Sequence, residues 1–230
     1  MQTITLTLLA AILLASCQSS EIANSKDVNP NAIHIAYSVT YTEGEETVTC
    51  RATFRFGGNK GTTLVLNSPT KIQLDGQTIK VDSSKFFGAY YQVEKPFAAF
   101  AGKHEFTFFN ANGSSLKEGF VFKPFSLVSS IPPAINKKDW TLNFKGLEDG
   151  SKINIAISDT STSTEDIGRE FTIHNNQATV PVSEIALLKK GPLEISIYKH
   201  SKKSLQQSSP EGGEIFIGYS LKARKTILKG

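Results

Sequence analysis

The sequence predicts an all-β protein in which two β-sandwich domains follow one another along the chain. Apolar and polar residues alternate with a period of two in most segments after residue 30, as in half-buried strands. Asp75-Gly76 and Asn112-Gly113 stand between alternating segments, and such pairs form the turns of β-hairpins. A stretch rich in Ser and Pro then interrupts the alternation. These patterns predict domains over residues 31–128 and 136–230, joined by a linker over residues 129–135.

The first sixteen residues carry no charged side chain, and they contain an apolar run that ends at Ala15. The run is shorter than the ~20 residues of a membrane-spanning helix, but it has the length of a secretory signal core. Leu14-Ala15-Ser16-Cys17 resembles the lipobox of bacterial lipoproteins, in which an aliphatic and two small residues precede the cysteine that receives lipid. The resemblance implies that residues 1–16 are a signal peptide and that lipid on Cys17 attaches the mature chain to a membrane.

The same resemblance implies a location in the bacterial cell envelope. Gln18 stands where an inner-membrane retention signal would have Asp, which favours the outer membrane and leaves open whether the protein faces the periplasm or the surface. Residues 17–30 are mostly small and polar and show no periodicity, so we expect a flexible tether there. Lipoprotein cysteines carry two or three acyl chains, enough for stable anchoring, so the mature chain needs no spanning segment.

The first domain is predicted to open with a hairpin that turns at Thr42–Glu46. One parity is apolar in each strand: Ile33, Ile35, Tyr37, Val39 and Tyr41, then Val48, Cys50, Ala52, Phe54 and Phe56. This parity puts the Cys50 thiol on the buried face, whereas a nucleophilic cysteine needs a basic and partly exposed site. We therefore expect Cys50 to be a core residue, and lipid on Cys17 would leave it without an internal disulfide partner.

An aromatic segment over residues 86–100 does not alternate cleanly. It contains Phe86, Phe87, Tyr90, Tyr91, Phe97 and Phe100. Either the segment crosses the end of the sandwich and fills the core, or part of it forms an exposed aromatic platform. In the second case the candidate partner-binding residues are Tyr90, Tyr91, Phe97 and Phe100. Neighbours in an extended chain point to opposite faces, so Tyr90 and Tyr91 should differ in burial.

The second domain repeats the alternation, beginning with Trp140, Leu142 and Phe144. Before its strand at Leu193–Ile197 we expect a helical turn over Glu184–Lys190, with Ser183 as N-cap and Gly191-Pro192 as the stop. A strand, a helical turn, a glycine and another strand resemble the E-to-F corner of immunoglobulin-like sandwiches. That resemblance implies immunoglobulin-like β-sandwich architecture, and the first domain has the same style of short alternating strands.

Charge and motifs exclude several functions. The chain has 25 basic and 21 acidic residues, a net charge of +4 spread over both halves, which is not the footprint of a nucleic-acid binder. No two of the four histidines, at positions 34, 104, 174 and 200, stand at metal-ligand spacing, and we expect all four at the surface or at strand ends. The motifs therefore predict no metal, cofactor-binding or catalytic residue.

Two functions remain. The sequence favours a non-catalytic envelope module, anchored by lipid, that binds a protein or glycan partner or scaffolds an assembly. The alternative is an envelope enzyme such as a glycan hydrolase, whose carboxylates would come together from distant strands. A pocket with two close carboxylates would favour the enzyme, since fold alone does not fix function.

Overall fold

The computed structural model describes residues 22–84, 88–159 and 167–230. Within these ranges the first half has ten strands: β1 Ile22–Asn24, β2 Ile33–Thr42, β3 Thr47–Phe56, β4 Thr62–Val65, β5 Lys71–Leu74, β6 Gln77–Thr78, β7 Val81–Ser84, β8 Gly88–Pro96, β9 Gly102–Phe109 and β10 Ser115–Phe122. Short 3-10 turns lie at Ser25–Asp27, Pro30–Ala32 and Phe97–Ala99.

The second half adds nine strands within the same described ranges: β11 Ser126–Leu127, β12 Ala134–Ile135, β13 Trp140–Lys145, β14 Lys152–Asp159, β15 Ile167–Thr172, β16 Gln177–Val180, β17 Gly191–Ser204, β18 Gly213–Ser220 and β19 Arg224–Leu228. A single helical turn, α1, spans Val182–Ile185. The predicted all-β class is confirmed.

The first sandwich has the predicted hairpins and a core of aromatic rings. β2 and β3 pair antiparallel, and Asp75 and Gly76 take φ angles of 51° and 79° between β5 and β6. Positive φ at both positions fits a two-residue hairpin turn. The sheet β10-β9-β5-β6 packs its rings against β2 and β3, and the centroids of Tyr37 and Phe106 lie 4.4 Å apart.

Cys50 lies in this core, as its parity predicted. Its side chain is fully buried on β3, and burial raises the pKa of the thiol to about 12. A thiol with a raised pKa is a poor nucleophile because little thiolate forms.

The second sandwich buries the alternating residues of its predicted strands. Ile153, Ile155 and Ile157 of β14 are fully buried, and so is Leu142 of β13. The sheet β11-β13-β16 provides one layer, and β15, β14, β17 and β19 provide the other. α1 begins earlier than predicted, because Pro181 occupies the N-cap position and the carboxylate of Asp139 accepts from the amide of Val182 at 2.7 Å.

A single sheet joins the two halves, which the sequence did not indicate. Its strand order is β1-β4-β3-β2-β18-β17-β14-β15, and we call it the shared sheet. β18 of the second half lies parallel to β2 of the first, in register from Gly213 opposite Ile35 to Ser220 opposite Thr42. The division at residues 129–135 stays a prediction, but strands from both sides of it are hydrogen-bonded to each other.

The hairpin formed by residues 198–220, here called the C-terminal hairpin, packs against the first sandwich. Glu118 of β10 is 1% exposed, and its Oε1 lies 3.1 Å from the Lys203 ammonium. The amide of Gln206 donates to its Oε2 at 2.7 Å, and Leu205 is buried. Strands of the second half therefore cover part of the first core.

The predicted flexible tether needs correction over residues 22–30. β1 pairs parallel with β4, and Ser25 is 1% exposed. The Ser25 hydroxyl accepts from the amide of Asn67 at 3.0 Å. The segment is polar because it hydrogen-bonds along the edge of β4, and polarity alone does not distinguish such an edge segment from a tether. Residues 1–16, Cys17 and the rest of the tether lie outside the described residues.

Candidate functional site

The outer face of the shared sheet points away from both cores and carries the candidate site. The outward side chains of β2 are small or polar: His34, Ala36, Ser38 and Thr40. Each is only half-buried. Thr49 and Thr53 of β3 continue this surface on one side, and Gly218 of β18 continues it on the other. Apart from His34, these residues have small side chains, so they form a low floor.

Aromatic rings of the C-terminal hairpin rise along one side of this floor. The ring of Tyr198 lies 4.8 Å from that of His200, which in turn lies 5.7 Å from that of Phe216. His200 is inclined to both neighbours, by 65° and 59°. Tyr198 and Phe216 are large rings on the solvent side of a sheet, where polar residues are usual.

Gly218 gives the Phe216 ring its position. A Cβ built on Gly218 would lie 2.8 Å from Cε1 of Phe216, closer than two carbon atoms can approach. The ring therefore lies over the backbone of Gly218 rather than standing away from the sheet. Any side chain at position 218 would push it aside.

Tyr90 forms the other side of the floor. The Arg51 guanidinium lies 4.6 Å from the centre of its ring, and its hydroxyl donates to Asp82 at 3.1 Å. In the register of the sheet, Arg51 stands opposite Ser38, and Ser38 stands opposite Phe216. β8, which carries Tyr90, pairs with the other side of β3, with Gln92 opposite Arg51. Neighbouring strands lie about 4.8 Å apart, so the three steps from β8 through β3 and β2 to β18 put about 14 Å between the backbones that carry the two sides. We call this surface, with its floor and two aromatic sides, the outer trough.

The charged groups around the outer trough are already partnered. Both Nε and Nη2 of Arg51 donate to Oε1 of Gln92, at 2.9 and 2.7 Å. The Glu94 carboxylate accepts from the hydroxyls of Thr47 and Thr49. At the far end, Lys202 and Glu214 lie 2.7 Å apart. The trough therefore presents hydroxyls and rings, and these charged groups are hydrogen-bonded or paired with neighbouring side chains of the sheet.

Two titratable rings of the trough are held in their neutral forms. Partial burial lowers the pKa of His34. The hydrogen bond to Asp82 raises the pKa of Tyr90. Both shifts favour the uncharged side chain at neutral pH.

The four aromatic residues that the sequence suggested as partner-binding candidates differ in burial and position in the structure. Tyr91 and Phe100 are 4% and 3% exposed, and the Tyr91 hydroxyl accepts from the amide of Leu66 at 2.6 Å. Phe97 stacks on Tyr41 with centroids 4.0 Å apart. Only Tyr90 of the four lies on the outer trough. Burial argues against direct contact of Tyr91 and Phe100 with a partner, and Phe86 and Phe87 lie outside the described residues.

Sequence reasoning missed Tyr198 and Phe216, although a signal for them exists. The strands around them were identified from the alternating residues Leu193, Ile195 and Ile197, and Ile215, Ile217 and Tyr219. Tyr198 and Phe216 have the opposite parity, where a sheet with one buried face carries polar residues. A large ring at an outward position is the pattern that predicts a binding surface.

The enzyme alternative requires a pocket with two close carboxylates. A second depression, of about 400 Å³, contains two carboxylates and a histidine. Its lining includes Asp75, His104 and Glu105. Nδ1 of His104 lies 2.7 Å from the Asp75 carboxylate, and Nε2 lies 2.8 Å from the carbonyl of Phe100. With both nitrogens against acceptors, the imidazole has none left for a substrate or metal. His104 stands near the start of β9, and its ring stacks on Phe100 with centroids 3.9 Å apart.

The carboxylates of this depression do not resemble an acid–nucleophile pair. The hydrogen bond from Lys117 lowers the pKa of Glu105, while a general acid of a glycoside hydrolase needs a raised pKa. Among residues 22–84, 88–159 and 167–230, no group of three or more metal-ligating side chains comes together. In the same residues no helix is long and apolar enough to cross a membrane.

No protein-family model matches the chain, and no curated protein matches it in sequence. Several solved structures are similar at low sequence identity. Domains IG1 and IG2 of DIP-gamma are 12% identical over 82% of this chain and 94% of that one, with a TM-score of 0.23. The fibronectin(III)-like modules of Clostridium thermocellum CbhA are 12% identical over 83% and 94%, with a TM-score of 0.24.

A third similar structure is the Bacteroides ovatus protein SGBP-B of a mixed-linkage glucan utilization locus, in complex with a mixed-linkage heptasaccharide. It is 13% identical over 87% of this chain and 66% of that one, with a TM-score of 0.21. TM-scores this low do not establish a shared topology. The evidence for the function of the chain therefore lies in its own residues.

Proposed function

We propose that this protein is a lipid-anchored, non-catalytic binding module of the bacterial cell envelope, and that its outer trough receives a protein or glycan partner. The observation that carries the proposal is the pair of aromatic sides, Tyr90 and Phe216, on the solvent face of a sheet whose cores lie on the other face. Exposed rings grouped around a polar floor are typical of binding surfaces.

The binding part of the proposal is tested by photocrosslinking in living cells. A benzophenone amino acid at Ser38, on the trough floor, should give an adduct with the partner, protein or glycan, since the group reacts with C–H bonds of either. The matched control is the same amino acid at Gln73, which faces outward on the opposite sheet. Adducts of equal yield at the two positions, or none at Ser38, would overturn the trough as binding site.

The anchor is tested separately. Lipid on Cys17 is supported by the sequence motif, and the wild-type protein should incorporate labelled fatty acid and partition into detergent. The Cys17→Ala variant should do neither, because the chain's other cysteine, Cys50, is buried in the first core. Equal labelling of the two proteins would remove the lipid anchor and the outer-membrane location from the proposal.

A further inference from the structure

We propose that the outer trough binds an uncharged polysaccharide chain lying along β2. This inference deepens, and rests on, the proposed binding function. It names the ligand by its chemistry: a polymer without ionic groups, with apolar ring faces and many hydroxyls.

The charged groups around the trough favour a ligand without ionic groups. Arg51 is engaged by the Gln92 amide, Glu94 by two threonine hydroxyls, and Lys202 by Glu214. A charged ligand would compete with these contacts to gain an ion pair, and exposed ion pairs contribute only about 0–1 kcal/mol. A neutral ligand can use the hydroxyls of the floor without disturbing them.

The trough cannot bind a partner peptide as an additional strand of the sheet. Extended peptides bind sheets by pairing with the free N–H and C=O groups of an edge strand. β2 is an interior strand, since β3 pairs with one side of it and β18 with the other. The floor therefore offers a partner side chains alone, and specificity must come from rings and hydroxyls.

The length of the trough and the positions of its rings fit a linear chain of sugar rings. The floor from His34 to Thr40 covers six residue steps, or about 20 Å at ~3.4 Å per residue. Ser38 and Thr40 offer hydroxyls along it, and rings from Tyr90 and Phe216 lie on either side. A pyranose has an apolar C–H face that packs on an aromatic ring and hydroxyls at its edge, so a linear chain of such rings fits both features.

Gly218 makes this arrangement testable without altering any ring. The Gly218→Ala substitution puts a methyl group 2.8 Å from Cε1 of Phe216, so the ring must leave its position over the sheet. Stability should change little, because the ring is the flexible end of a half-exposed side chain. Phe216→Ala removes the ring itself. Phe109→Ala is the matched control, since Phe109 is a half-exposed ring on the outward face of the opposite sheet.

The experiment is affinity gel electrophoresis of the folded protein in gels containing one polymer each. The neutral polymers are hydroxyethyl cellulose, galactomannan and dextran, and the anionic ones are polygalacturonate and alginate. At least one neutral polymer should retard the wild type, equally at low and high salt. Gly218→Ala and Phe216→Ala should weaken the retardation at least about tenfold, the loss of one ring contact, while Phe109→Ala leaves it unchanged.

The outcomes separate this inference from the proposed function. Retardation by the anionic polymers alone, lost in Gly218→Ala, would overturn the neutral ligand and leave the trough as a binding site. So would a Ser38 adduct with a protein in cells combined with no retardation by any polymer. Retardation by a neutral polymer that both trough variants retain would place the glycan elsewhere and overturn the inference. No retardation together with no Ser38 adduct would overturn both proposals.

Discussion

The two sandwiches of this protein are assembled differently. The second draws the strands of both its layers from residues 126–228. The first uses residues 22–122, and strands of the second half contact it as well: β18 lies beside β2, and the tip of β17 brings Lys203 to Glu118. The two sandwiches therefore differ in how much of their contact surface comes from outside their own segment. From this difference we expect them to differ in stability when they are separated.

The strongest test of this difference is to divide the chain near residues 126–138. A fragment of residues 22–128 should fail to fold, because β2 would become an edge strand and Glu118 would lose its ion pair. A fragment of residues 126–230 should keep β-type circular dichroism and a cooperative unfolding transition. Its strands pair with each other, and the fragment leaves unpaired only the edge of β18 that pairs with β2 in the whole protein.

The uncut protein provides the control for that test. Residues 22–230 should be soluble with a β-type spectrum, and brief proteolysis should cut near residues 126–138. The two pieces should stay together in native size-exclusion chromatography and separate only in denaturant. Two independently stable pieces that elute apart would show that the first sandwich does not need the C-terminal hairpin.

A smaller effect on the free energy of unfolding should distinguish a ring in the first core from a ring on the outer face of the shared sheet. Tyr91→Ala should lower the free energy of unfolding by about 3–5 kcal/mol, as expected for a buried aromatic ring. Tyr90→Ala should lower it by less than about 1 kcal/mol, since its ring lies on the outer trough. Urea unfolding measures both, and we expect a gap larger than about 1 kcal/mol. Equal and severe losses would make the segment part of the core and remove Tyr90 from the trough.

The smallest effect concerns the contact between the C-terminal hairpin and the first sandwich. Lys203→Ala leaves the buried Glu118 carboxylate without its cation and should cost about 1–3 kcal/mol. Lys202→Ala is the matched control on the same strand. Its ion pair with Glu214 is exposed and should contribute about 0–1 kcal/mol. Similar losses in the two variants would contradict a specific role for the Lys203 contact.

Two local reporters show where the Lys203→Ala variant loosens. In a Cys17→Ser background Cys50 is the sole thiol, and Trp140 is the sole tryptophan of the chain. Thiol labelling at Cys50 should become faster, since it requires opening of the first core. Trp140 fluorescence, which reports on the second sandwich, should keep its wild-type unfolding midpoint. Unchanged labelling would mean that the hairpin does not hold the first core closed.

Local patterns predicted the fold class and much of the core, because the alternation of apolar and polar residues within one strand shows which of its side chains are buried. Cys50 and the Asp75-Gly76 turn are examples. The pairing of β18 with β2 joins residues about 180 positions apart, and no local pattern specifies it. The same holds for the site. Tyr90 was named from its own segment, whereas its relation to Phe216 depends on the order of four strands, β8, β3, β2 and β18.

Pairing of β1 with β4 would also shorten the link to a membrane if Cys17 carries lipid. Residues 18–21 are all that separates Cys17 from Ile22, five residue steps that reach at most about 18 Å when fully extended. With lipid on Cys17, the β1 edge of the shared sheet would be held close to the bilayer while the β15 edge pointed away from it. A sheet tethered at that edge can stand edge-on to the membrane, and in that orientation the outer trough would open sideways, along the surface rather than away from it.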